Sequence, residues 1–129
     1  MLSDTEGLTR LREICLNLPE ASEQGGVGDP TFKVRDKIFA MRHPMDERES
    51  MWCKAQAGVQ STLVASEPER FFVPPYVGQH GWIGVWLDRR PPWSAVQGLL
   101  EDGYRLVAPK RLLAALDAEP VGRTAARRG

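Results

Sequence analysis

The run Trp82-Ile83-Gly84-Val85-Trp86-Leu87 constrains the fold more than any other stretch of this chain. It is entered through Gly78 and Gly81 and closed by Asp88. Alternate side chains of a strand point to opposite faces. Trp82, Gly84 and Trp86 therefore share one face, and Ile83, Val85 and Leu87 the other. Both faces are apolar, which a half-solvated edge strand does not need. The run predicts an internal strand of a sheet, with Trp86 buried.

Other segments supply the partners of that strand. Residues 5–18 read as an amphipathic helix, because Leu8, Leu11, Cys15 and Leu18 recur at helical spacing before Pro19. Residues 20–28 read as a strand running into a glycine-bearing loop, which Asp29-Pro30 punctuates. Phe32 and Val34 then alternate with Lys33 and Arg35, Asp36-Lys37 makes a tight turn, and residues 38–41 return as the second arm of a β-hairpin. Residues 51–55 form a short strand, and residues 59–66 a short helix ending ahead of Pro68. Residues 70–76 are extended, with Pro74-Pro75 confining them to an edge or an irregular end. Pro92 opens a helix whose apolar face is Trp93, Val96, Leu99 and Leu100, and residues 104–108 continue or cap it. A last helix spans residues 109–116. Adjacent strands without strict strand–helix alternation imply an α+β, two-layer fold, an antiparallel sheet with helices packed on one face. Residues 1–117 form one domain in this reading, and residues 118–129, which lack periodicity, a disordered tail.

Charge and cysteine content narrow the function. The 129 residues hold 17 Lys plus Arg against 17 Asp plus Glu, a net charge of zero that excludes binding to nucleic acid by bulk charge. With 42% hydrophobic residues the chain has enough apolar surface to fold without a metal or disulfide staple. Two isolated cysteines, Cys15 and Cys53, suit a reducing cytosol. No basic stretch followed by an apolar run opens the chain, and its apolar runs fall far short of the ~20 residues of a membrane span. A cytoplasmic protein is expected, a monomer or weak dimer with no membrane contact.

Catalytic and cofactor motifs are absent. Gly25-Gly26-Val27-Gly28 lacks the Lys-Ser/Thr of a phosphate loop and leads into a strand rather than a helix. His43 and His80 lie far apart, as do Cys15 and Cys53, so no metal-ligand spacing exists. No Gly-x-Ser-x-Gly elbow is present. The expectation is a non-enzymatic protein with no cofactor and no metal. The basic residues carry more. Lys33, Arg35, Lys37 and Arg42 fall within one hairpin opposed only by Asp36, and Lys33 and Arg35 point away from Phe32 and Val34. Such a hairpin fits a phosphate backbone, or is simply the solvated face of a sheet. Lys110 and Arg111 add charge at the start of the final helix. A second group, Phe71, Phe72, Tyr76, His80 and Trp82, gathers aromatics and a histidine around a glycine-rich turn, a candidate surface for a ligand or partner.

Taken together, residues 28–40 (Gly-Asp-Pro-Thr-Phe-Lys-Val-Arg-Asp-Lys-Ile-Phe-Ala), residues 71–88 (Phe-Phe-Val-Pro-Pro-Tyr-Val-Gly-Gln-His-Gly-Trp through Asp88) and residues 99–110 (Leu-Leu-Glu-Asp-Gly-Tyr-Arg-Leu-Val-Ala-Pro-Lys) resemble the MmcQ/YjbR family of small bacterial proteins. The resemblance covers about residues 5–117. It implies a compact domain likened to frataxin-like and secretion-chaperone-like arrangements, and a DNA-binding role with hairpins as wings. It carries no iron function, since Glu6 and Glu13 are interleaved with Arg10 and Arg12 rather than forming an acidic ridge. The leading expectation is a small binding module that contacts DNA weakly through Lys33, Arg35, Lys37 and Arg42, helped by Lys110 and Arg111. The alternative is a protein-interaction or chaperone-like adaptor, marked by an apolar patch at Phe71, Phe72 and Tyr76. A small-molecule enzyme would need a pocket lined by Tyr76, His80 and Trp82 with a convergent carboxylate.

Overall fold

A computed structural model describes residues 6–25, 29–88 and 90–118. Helix α1 (Glu6–Leu16) buries Leu8, Leu11 and Cys15, the stripe its spacing predicts, and a tightened last turn delivers Leu18 and Pro19. Strands β1 (Ser22–Gln24), β2 (Thr31–Val34), β3 (Lys37–Arg42) and β4 (Ser50–Cys53) follow. Next come α2 (Val59–Ser66), β5 (Phe71–Phe72), a 3₁₀ turn (Val77–His80) and β6 (Ile83–Trp86), then α3 (Trp93–Val107) and α4 (Lys110–Ala118). The strands form one antiparallel sheet in the order β1-β2-β3-β4-β6-β5. This is the expected α+β arrangement, with helices on one sheet face. Most of the expected tail, residues 119–129, and the loop centre, residues 26–28, lie outside the described residues. Among the described residues no helix is long and apolar enough to cross a membrane.

The hairpin departs from its sequence reading in two ways. Its turn is Arg35-Asp36, not Asp36-Lys37; both turn residues have positive φ, 53° and 68°, the signature of a type I′ connection. Further along, Lys33 pairs with Ile38 but Phe32 pairs with Ala40, so Phe39 is an extra residue, a β-bulge. Phe39 and Ala40 are consequently both buried toward the helices.

Strand β6 is internal, between β4 and β5, as its two apolar faces require. The helix-side core takes Ile83, Val85 and Leu87. Trp86 does not enter that core: with Trp82 and Gly84 it stands on the opposite, outer face, where it is half-buried. The expectation of a buried Trp86 fails because the helices among the described residues cover the other face, and only neighbouring side chains shelter this one.

Helix α3 runs through Gly103 without a break. A Cβ on Gly103 would sit 2.8 Å from the Lys54 carbonyl oxygen and 3.4 Å from that of Phe39, so the helix lies directly on the β3–β4 backbone. One residue on, Tyr104 meets Phe39 edge to face at 5.6 Å and donates through Oη to the Pro19 carbonyl at 2.7 Å. The helix thereby ties the end of α1 to the bulge. Removing a glycine from a helix interior gains about 1 kcal/mol, whereas overpacking against backbone costs about 1–3 kcal/mol. Gly103→Ala is expected to lower stability, by up to about 2 kcal/mol, in urea denaturation.

Both thiols are buried in the same core. Burial pushes Cys53 up to about 12 and Cys15 well above its ordinary value, with Cys53 and Glu23 adding to the latter. The folded state thus favours the neutral thiols; their contribution to stability is present below the unfolded thiol's pKa and is lost as pH rises through the alkaline range. A disulfide-exchange reagent at pH 8 is expected to label neither thiol until denaturant unfolds the chain.

Candidate nucleic-acid interface

The end of the sheet at the hairpin turn gathers most of the predicted cations. Lys33 is half-exposed on the outer face, while its neighbours Phe32 and Val34 are buried, and its Nζ donates to Gln24 Oε1 on β1 at 2.8 Å. Arg35 has left the strand for the turn and does not share that face. Its Nε donates to Glu20 Oε1 at 3.3 Å, and Arg111 Nη2, from the first turn of α4, donates to Glu20 Oε2 at 3.1 Å. The Arg111 hydrogen bond, reinforced by Arg35, holds the Glu20 carboxyl below its usual range. Lys37 and Lys110 are exposed near the same two elements.

Glu20 escapes a reading based on cationic residues, although it follows Leu18-Pro19 where the helix must stop. Glu20 and Arg35 both sit at positive φ, 58° and 53°. That region costs a residue with a Cβ about 1–2 kcal/mol, which glycine would avoid. Two charged residues occupy it here, each aimed at the other.

Arg42 is not part of this surface. The bulge at Phe39 reverses the parity of β3 beyond it, so Arg42 turns toward the helices and is 8% exposed. Its Nε donates to Glu49 Oε1 at 2.9 Å, and Nη2 makes a second bond to Oε2 of the same carboxylate, itself 2% exposed. The hydrogen bond that Arg42 donates to Glu49 raises the guanidinium further above its already high value. Glu49 also borders a cleft of about 510 Å³ with Glu6, Leu87, Asp88, Arg90 and Trp93. The Asp88 carboxylate there is held by Arg48 at 2.7 and 3.0 Å.

The predicted aromatic group divides between the two sheet faces. Phe71 pairs with Val85 and lies in the helix-side core. Phe72 pairs with Gly84 on the outer face, its ring covering the space a Cβ on Gly84 would need. That ring stacks on Trp86 at 4.3 Å, and the Arg48 guanidinium lies over the Trp86 ring at 3.9 Å. Phe71, Phe72 and Tyr76 therefore do not make one apolar patch. Tyr76 is 84% exposed in the loop beyond, and His80 is exposed on the 3₁₀ turn. Trp82 is buried, its carbonyl accepting from Gln60 at 2.6 Å and Lys54 Nζ lying 5.8 Å from its ring.

Sequence reasoning missed His43, Arg48, Trp52 and Lys54 on this outer face. Trp52 pairs with Met41 on one side and Gly84 on the other, and His43 packs on its ring at 4.1 Å. It is 4% exposed, and its indole N–H has no acceptor among the described residues. Such an orphaned donor costs about 1–3 kcal/mol. The signal was available in the glycine at position 84, which leaves room for large rings on both flanking strands.

The fold and its surfaces define a small α+β domain with a cationic sheet end and an aromatic sheet face. A family model, YjbR, matches residues 16–106, and the chain belongs to the YjbR family. The crystal structure of Deinococcus radiodurans protein DR2400, which has a DUF419 domain, is similar to this chain with a TM-score of 0.70 at 21% identity. The likeness covers 85% of this chain and 87% of that one, and it shows the fold. No curated protein matches the chain.

The buried pair has a measurable signature. Removing one partner leaves an uncompensated buried charge, so Glu49→Ala is expected to cost about 3–5 kcal/mol in equilibrium unfolding. The double variant Arg42→Met with Glu49→Leu, which removes both charges, is expected to recover most of that loss.

Proposed function

We propose that this protein is a non-enzymatic, cytoplasmic DNA-binding module that holds phosphates at the hairpin end of its sheet. The observation that carries this reading is the convergence of Arg35 and Arg111, far apart in sequence, on the single carboxylate of Glu20. Two guanidinium groups directed at one oxyanion suit a phosphate, whose oxygens accept charge-assisted hydrogen bonds of the same kind. Glu20 acts in this reading as an internal anion that a phosphate displaces. Lys33, Lys37 and Lys110 supply further contacts, and none of the three pairs with a carboxylate among the described residues.

Neutral net charge sets the affinity low and the salt dependence shallow. Five phosphate contacts at most give a slope of log K against log salt no steeper than about −4.5. Titration of a fluorescein-labelled oligonucleotide at low salt, read by anisotropy, tests the reading. Lys33→Glu combined with Arg35→Glu is expected to abolish binding to single and double strands alike. Glu20→Gln, which removes the internal competitor, is expected to tighten it several-fold. Unchanged affinity in both variants would place the contact elsewhere.

A further inference from the structure

The outer face of the sheet carries a field of rings bordered by lysines, with no helix among the described residues laid over it. Cross-strand register puts Thr31, Met41, Trp52, Gly84 and Phe72 in one row. Trp86 and Ser50 form the next, and Lys33 with Ile38 lie on the other side of it. Trp52 and Trp82 are buried, while His43, Phe72 and Trp86 stay partly exposed. Phe72 lies on Trp86 and His43 on Trp52. Around them stand Lys33, Lys54 and the Arg48–Asp88 ion pair, and Lys54 has no carboxylate partner among the described residues.

We infer that this face binds the bases of single-stranded DNA, stacking them on Phe72 and His43 while the sugar–phosphate backbone runs toward Lys33 and Lys54. The inference rests on the phosphate reading above and names its substrate as a single strand. Three features favour that occupant. Rings lying on rings extend naturally into further stacked planes, and every base offers a π-face. Lys33 and Lys54 border the rings with no carboxylate partner among the described residues, and their charge complements a polyanion, not an apolar helix or a second copy of this neutral chain. The buried Trp52 indole N–H, which has no acceptor among the described residues, is a donor that an oxygen of a base or sugar satisfies when the His43 ring packed on Trp52 shifts. A duplex keeps its bases inside the helix and cannot use this face.

The test compares an oligothymidylate with a blunt duplex of equal length, using the full chain. The single strand is expected to bind at least tenfold more tightly and to quench tryptophan fluorescence. Phe72→Leu keeps an apolar cover over Gly84 but removes the ring. It is expected to weaken single-strand binding about tenfold and to leave the duplex unchanged, the range seen for loss of one base–aromatic stack. His43→Ala provides a second substitution, on a different strand end, should Phe72→Leu lower the melting temperature. Equal affinity for both nucleic acids, with neither ring variant altering it, overturns the stacking face while leaving the phosphate grip intact. Loss of all binding in Lys33→Glu/Arg35→Glu alone, with Phe72→Leu and His43→Ala silent, has the same meaning. No binding of either nucleic acid to the unmodified chain overturns both readings.

Discussion

One extra residue in β3 determines which side chains the sheet shows to the helices. In a regular hairpin from the Arg35-Asp36 turn, Phe32 would face Phe39, Met41 would point inward and Arg42 outward. The bulge at Phe39 shifts the register, so Ala40 faces Phe32, Met41 turns out and Arg42 turns in. Everything past that point inherits the change. Trp52 points outward because it pairs with Met41, and Met51 points inward because it pairs with Arg42. The bulge also leaves the Phe39 carbonyl to receive the Lys54 amide at 3.0 Å, where α3 comes closest. An inward arginine is tolerable only with a partner, and Glu49 provides both of its oxygens.

That parity shift explains why the sequence was legible in some places and opaque in others. Amphipathic spacing located α1, and the bounds of α2 follow from its position ahead of Pro68. The two-sided apolar run identified β6 as internal, since such a pattern has few other solutions. The alternation of Phe32, Lys33 and Val34 was equally plain. Alternation cannot reveal a bulge, because an inserted residue leaves the composition of both arms unchanged. Arg42 was therefore assigned to the wrong face. The turn was misplaced by one residue since Arg35-Asp36 lacks the Asn-Gly pair that usually marks this geometry. Glu20 was missed for a different reason: a carboxylate gains its meaning only from the two arginines that the fold carries to it.

Zero net charge conceals a division of labour among the basic residues. The arginines take the carboxylates: Arg12 holds Glu23, Arg42 holds Glu49, Arg48 holds Asp88 and Arg105 holds Asp117. A planar fork matches a carboxylate better than an ammonium does. Lys33, Lys37, Lys54 and Lys110 have no such partner among the described residues, and they lie near the hairpin end and the outer face. Balanced totals therefore coexist with a local excess of positive charge where the two candidate surfaces meet.

The sheet tapers toward its margins. Its outermost strands have three residues at β1 and two at β5, while β3 near the centre has six. One residue beyond β5 the chain reaches Pro74 and Pro75, which have no amide hydrogen to donate. Each margin thus exposes only a few unpaired backbone groups, too few to template a strand from another molecule. The apolar central strands, fully buried along β4, are kept a strand or more away from any open border. Short margins of this kind disfavour edge-to-edge pairing in a sheet that carries so many aromatic residues on one face.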